Sequence, residues 1–190
     1  MHSLKLLAAA LLAAMVAGCA VTPLPDTAQI LPGAFGSNED PETTAINLSS
    51  WALALPSRTR NDPGDAARAT ASVDFLAGDL YANPRFQDIS PVYKQQMLNA
   101  RTEVRQVLGI VPGALSQEVV NRLLTAGNAI AAGDHAGTLA ALDTPEFTYG
   151  PERTLALLND LPPLPIANVA TAHIGAVYLH TDGSCGFTCG

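Results

Sequence analysis

The residues with most chemistry available to them are the three cysteines and four histidines of this 190-residue chain. Cys185 and Cys189 stand four residues apart near the end, with His180 five residues before them and His173 seven before that. Two thiolates and one or two imidazoles are enough donors for zinc or copper. Their spacing matches no common zinc finger, however, and no metal or other cofactor is expected. Redox catalysis prefers C-x-x-C at a helix N-terminus, where the thiol pKa falls, whereas this pair reads C-x-x-x-C. Hydrolytic signatures of the forms G-x-S-x-G, H-E-x-x-H and S-x-x-K do not occur. Acids beside apolar residues, Asp74 and Asp79 or Glu146 and Glu152, could pair for acid–base work on a glycan. In so acidic a chain, solvated carboxylates at helix N-termini are the simpler account. One cationic feature stands out. At about 100° per residue, Lys94, Arg101 and Arg105 fall in a single stripe a quarter turn from an apolar seam. They are expected either to pair with acids of flanking helices, such as Asp74 or Asp79, or to contact an anionic ligand such as a lipid phosphate.

The first cysteine has a different setting. Residues 1–5 are short and basic, residues 6–17 are an unbroken apolar run, and Val16-Ala17-Gly18-Cys19 closes it. A dozen apolar residues are too few to span a bilayer, which needs about 20, but they suit an export signal. The closing tetrad resembles the lipobox of bacterial lipoproteins. That resemblance implies cleavage before Cys19, a diacylglyceryl thioether on its thiol, and attachment by several acyl chains, which is stable where one chain is marginal. Ala20, in place of the aspartate that commonly retains such proteins at the inner membrane, implies delivery to the periplasmic face of the outer membrane. In that oxidising space a Cys185–Cys189 disulfide is the expected state. It would add little stability, because the loop it closes is short.

Composition narrows the functional classes. The formal net charge is −7, and Lys5 is the one charged side chain in residues 1–18, so the chain without them carries −8. Such a balance argues against a nucleic-acid partner and against a basic surface lying on anionic lipid. Aromatic residues make up only 5% of the chain. Alanine is abundant and long β-branched alternating runs are scarce, so an all-α domain is expected.

Helix punctuation gives the elements that must position these residues. After the signal, residues 19–44 hold four prolines with glycine and acids and read as a flexible tether. Residues 45–180 read as the helical domain, and 181–190 as a Gly/Cys tail. Residues 46–55 are expected as a short helix capped by Ser49 or Ser50, with Trp51 as a core or lid residue. Asp62-Pro63 opens a helix that Asn83-Pro84 stops. Ser90-Pro91 opens the next, ended by Gly109. A third runs over 116–132, and Asp134 caps a fourth through Leu142. Pro151 opens another to about 159, and after Pro162-Pro163-Leu164-Pro165 a last one ends near Leu179. The hairpin over 126–142 resembles one unit of a tetratricopeptide array, but no second copy follows, so a solenoid is not expected. The expected architecture is a compact bundle or irregular array of five to seven short amphipathic helices. The expected function is an envelope interaction or scaffold module whose partners are the membrane, through Cys19, and another envelope protein. The alternative is an enzyme or binding module for envelope glycan or lipid.

Overall fold

One helix, α2 (Pro63–Ala82), is buried on nearly all sides, and the rest of the chain is arranged around it. Its sequence explains why. Eight of its residues are alanine or glycine, so neighbouring helices approach its backbone closely, while Val73, Phe75, Leu76 and Leu80 fill the space between them. The computed structural model describes residues 24–36 and 38–183, and among these there are seven α-helices and no strands. The others are α1 (Pro41–Ala52), α3 (Pro91–Leu108), α4 (Ser116–Ala131), α5 (His135–Leu142), α6 (Pro151–Asn159) and α7 (Pro165–Gly183). α2 packs on α1, α3, α4 and α6, and α7 closes the bundle against α1 and α3. The all-α expectation therefore holds.

Most boundaries follow the punctuation. The Asp62 side chain accepts the Asp65 N–H at the start of α2, and Ser90 does the same for Val92 at the start of α3. Asp134 accepts the Gly137 N–H to open α5. Gly109 ends α3 at φ 66°, and Tyr149 packs so closely on it that a side chain there would strike the ring. Ile110 and Phe147 then form an isolated antiparallel bridge that ties the α3–α4 loop to the α5–α6 loop.

Two expectations need correction. α1 starts at Pro41, with Asp40 as its cap accepting the Thr43 N–H, rather than at a Ser49 or Ser50 cap. Ser49 is instead wholly buried inside the helix, its hydroxyl donating back to the Ala45 carbonyl. Nor is Trp51 a core residue: it is 48% exposed, with the Arg58 guanidinium 5.4 Å from its ring centroid.

A further correction is larger. Residues 24–36, expected as part of a free tether, form a strap laid on the bundle. Asp26 accepts the Ser116 N–H on its carboxylate and an Arg101 N–H on its carbonyl. Ala28 is buried, and Ile30, Ala34 and Phe35 pack against the core. Composition missed this because the partners of these residues lie far along the chain and are mostly polar side chains. Cys19, Cys185 and Cys189 lie outside the described residues.

Candidate functional site

Three regions bear on function. The first is the cationic stripe, for which pairing with Asp74 or Asp79 was one of the two expectations. Arg105 points inward, and its side chain is 8% exposed against a fully buried Asp74. Its Nε and Nη2 donate to the two carboxylate oxygens of Asp74 at 2.7 and 2.8 Å. Nη1 donates to the Pro112 and Ala114 carbonyls, and Nη2 also to the Ser116 hydroxyl. A guanidinium has five N–H donors, and all five are used inside the protein, so Arg105 has none left for an anion. Arg101 lies above it and shares the Ser116 hydroxyl. Burial lowers its pKa from the ordinary arginine value, and Arg105 adds to that, against the opposing pull of Asp74 and Asp26. Lys94 stands apart, its ammonium 5.9 Å from the Tyr81 ring centroid. The three cations of the stripe thus do three different things, and the pairing with Asp74 accounts for Arg105.

The second region is at the N-terminus of α1. Arg85 donates to Asp40 at 2.7 Å and to the Tyr178 hydroxyl, and Thr43 bonds Asp40 and Tyr178. Burial would raise the Asp40 pKa, but Thr43 and Arg85 more than offset it and hold the carboxyl well below the usual range. Beside this network, Asn83 donates to both Glu42 and Asp79 at 3.4 Å. These two carboxylates face an open cavity of about 420 Å³ roofed by strap residues 27–31. Burial pushes Asp79 up from 3.8 to about 6, with the Asn83 bond opposing and Glu42 adding to the rise. Glu42 is also raised, first by burial and then by Asp40. Among the described residues, no histidine lines this cavity and no cluster of three metal-ligating side chains occurs. His173, weighed as a ligand, bonds Gln96 through Nδ1 at 2.7 Å and lies against Tyr93.

The third region is an apolar groove at the opposite end of α1. Its walls are the end of α1 with Leu53 and Leu55, the Leu161-to-Pro165 corner and the first turn of α7, and it holds about 230 Å³. The Asn168 amide clamps the corner by donating to the Leu53 and Ala54 carbonyls at 2.8 and 3.0 Å. Glu103 caps the start of α7, accepting the Ile166 and Ala167 N–H groups. Leu55 lines the groove, and Trp51, Ile166 and Val169 stand next to lining residues, all four close to half exposed. Sequence reading saw the Pro162-Pro163-Leu164-Pro165 run only as a corner. The available signal was apolar residues at Ile166 and Val169, which sit off the buried face of α7 set by Ala167, Ala170 and Ile174.

No protein family, curated protein or solved structure was found to match this chain. Among the described residues, no helix is long and apolar enough to cross a membrane.

Proposed function

We propose that this chain is a lipid-anchored, periplasm-facing helical module of the bacterial outer membrane that works by binding another envelope protein. The lipobox-like Val16-Ala17-Gly18-Cys19 supports the anchor. The groove between α1 and α7 supports the binding role and is the observation that carries it. Leu55 stands half in water in the groove, and half-exposed Trp51, Ile166 and Val169 each adjoin a lining residue in sequence, the kind of exposed apolar surface that marks an interaction site. Aromatic and aliphatic anchors of this kind dominate protein interfaces. The partner chemistry it fits is an extended apolar segment, since the walls offer few polar groups and the Asn168 amide is already committed to backbone carbonyls.

Cys19→Ser is expected to abolish fatty-acid labelling while leaving export in place, because a hydroxyl does not replace the thiol in thioether formation. Equal labelling of both proteins would refute the anchor. For the groove, a photo-crosslinking residue at position 55 or 166 is expected to capture one and the same protein in cells, while one at 121 on α4 does not. Ile166→Asp should remove that capture with the melting curve unchanged. Capture equally efficient from all three positions would remove the groove from the account. The rival reading, an enzyme or ligand-binding module acting on envelope glycan or lipid, draws on the paired carboxylates Glu42 and Asp79 in their cavity.

A further inference from the structure

The strap is held mainly by its backbone. Gln117 on α4 accepts the Gln29 N–H on Oε1 at 2.8 Å and donates from Nε2 to the Gln29 carbonyl at 3.0 Å. The second Nε2 proton goes to Asn121 one turn on, which fixes the orientation of the amide. Asn128, further along the same helix, donates to the Ala34 carbonyl at 3.0 Å. Arg101 donates to the Asp26 carbonyl at 3.0 Å. Side chains of α3 and α4 therefore read main-chain groups of an extended segment, which is how proteins bind polypeptide without demanding a particular sequence. α2 makes room for it. A methyl group at Gly78 would collide with the Asp26 carbonyl and come within 2.8 Å of the Thr27 Cα. A glycine inside a helix costs stability, and here close approach of the strap explains it. Its apolar contacts are buried Ala28 and partly buried Ile30, Ala34 and Phe35, while Leu24 and Leu31 are 72% and 74% exposed.

We propose that the face formed by α2, α3 and α4 is a binding site for extended polypeptide, filled in cis by residues 24–36 and in trans by the same residues of a second copy of this chain. The second copy is the occupant because its fit is already on view. Its Asp26 carboxylate would meet the N–H of Ser116 at the start of α4, and its backbone would seat over Gly78. Exchange keeps every bond the strap now makes, so the swapped pair differs from two monomers mainly in chain entropy and in the turn that opens. The chain redirects between Gly36, at φ 83°, and the start of α1 at Pro41. The inference does not depend on the lipid anchor, although two anchored copies would share a surface and meet more often.

The test uses two full-length, differently tagged variants, Gln29→Cys and Gln117→Cys, mixed and treated with a short bis-maleimide. Linked peptides are then identified by mass spectrometry, which separates this linkage from reactions of the native cysteines. The mixture is expected to give a 29–117 link between chains, growing with protein concentration. One chain carrying both substitutions should give the link internally and thereby calibrate the geometry. Gly78→Ala in the Gln117→Cys copy should cut the cross-chain link several-fold while helix content by circular dichroism stays level, since alanine favours the helix and only the seat is lost. A link confined to the doubly substituted chain overturns the exchange. So does a cross-chain link that Gly78→Ala leaves undiminished.

Discussion

At the scale of single residues, Arg105 shows what a helical wheel resolves and what it leaves open. The stripe of Lys94, Arg101 and Arg105 is correctly phased, but a position a quarter turn from the seam lies on the border between core and water. Which way each side chain turns is decided by the neighbouring helix. α2 brings the fully buried Asp74 to Arg105, the strap brings the Asp26 carbonyl to Arg101, and Lys94 meets the Tyr81 ring. None of these partners is near in sequence. Asp74→Ala would leave a buried guanidinium without its counter-charge, which costs about 3–5 kcal/mol. Arg105→Lys is also expected to destabilise, because an ammonium lacks the fork that spans both carboxylate oxygens and the two loop carbonyls. Urea denaturation of the three proteins checks this. A loss below about 1 kcal/mol for Asp74→Ala, the range of exposed pairs, would mean that water reaches the pair.

At the scale of elements, the helices were legible wherever a cap and a proline coincide. Asp62-Pro63 and Ser90-Pro91 mark true starts because the aspartate or serine satisfies an otherwise unpaired N–H and proline has none to satisfy. Asp40-Pro41 carries the same signal, yet it lies in a stretch whose acids and prolines read as solvated chain. The strap was not legible because its bonds run to Arg101, Gln117 and Asn128, and an amide on another helix leaves no trace in local composition. The apolar seam of α4 was legible: Val119, Val120, Leu123 and Leu124 are all buried. Leu123, with no exposed surface, lies in the helix that packs against α2. Leu123→Ala is expected to cost about 2–5 kcal/mol through lost transfer energy and the cavity left behind. Trp51→Ala, at a half-exposed rim, should cost clearly less although it removes a larger side chain. Thermal melts of both variants would overturn this placement of core and groove if the order were reversed.

At the scale of the whole molecule, the negative charge is not spread evenly, and its concentration at one end gives a pH dependence. Asp40, Glu42 and Asp79 gather where the start of α1 meets the end of α2, with Arg85 as the cation facing them and Asn83 as a neutral donor. Strap residues 27–31, which roof the cavity, bring no titratable side chain. Asp40 is held low, so the stability it contributes is present above the unfolded carboxyl pKa of about 4 and fades only on further acidification. Asp79 works in the opposite direction. Its folded value of about 6 lies above 3.8, so between those values the folded state binds more protons than the unfolded state. Stability must then fall as pH rises through that window and level off above it. Asp79→Asn keeps the shape, still accepts from Asn83 and carries no charge at any pH. Its melting temperature is expected to exceed that of the wild type at pH 7.5, with the gap closing as the pH is lowered to 4.5, where wild-type Asp79 is itself largely protonated. A difference between the two proteins that stays constant from pH 4.5 to 7.5 would show that Asp79 ionises as an ordinary surface carboxylate and that the strap does not shield it.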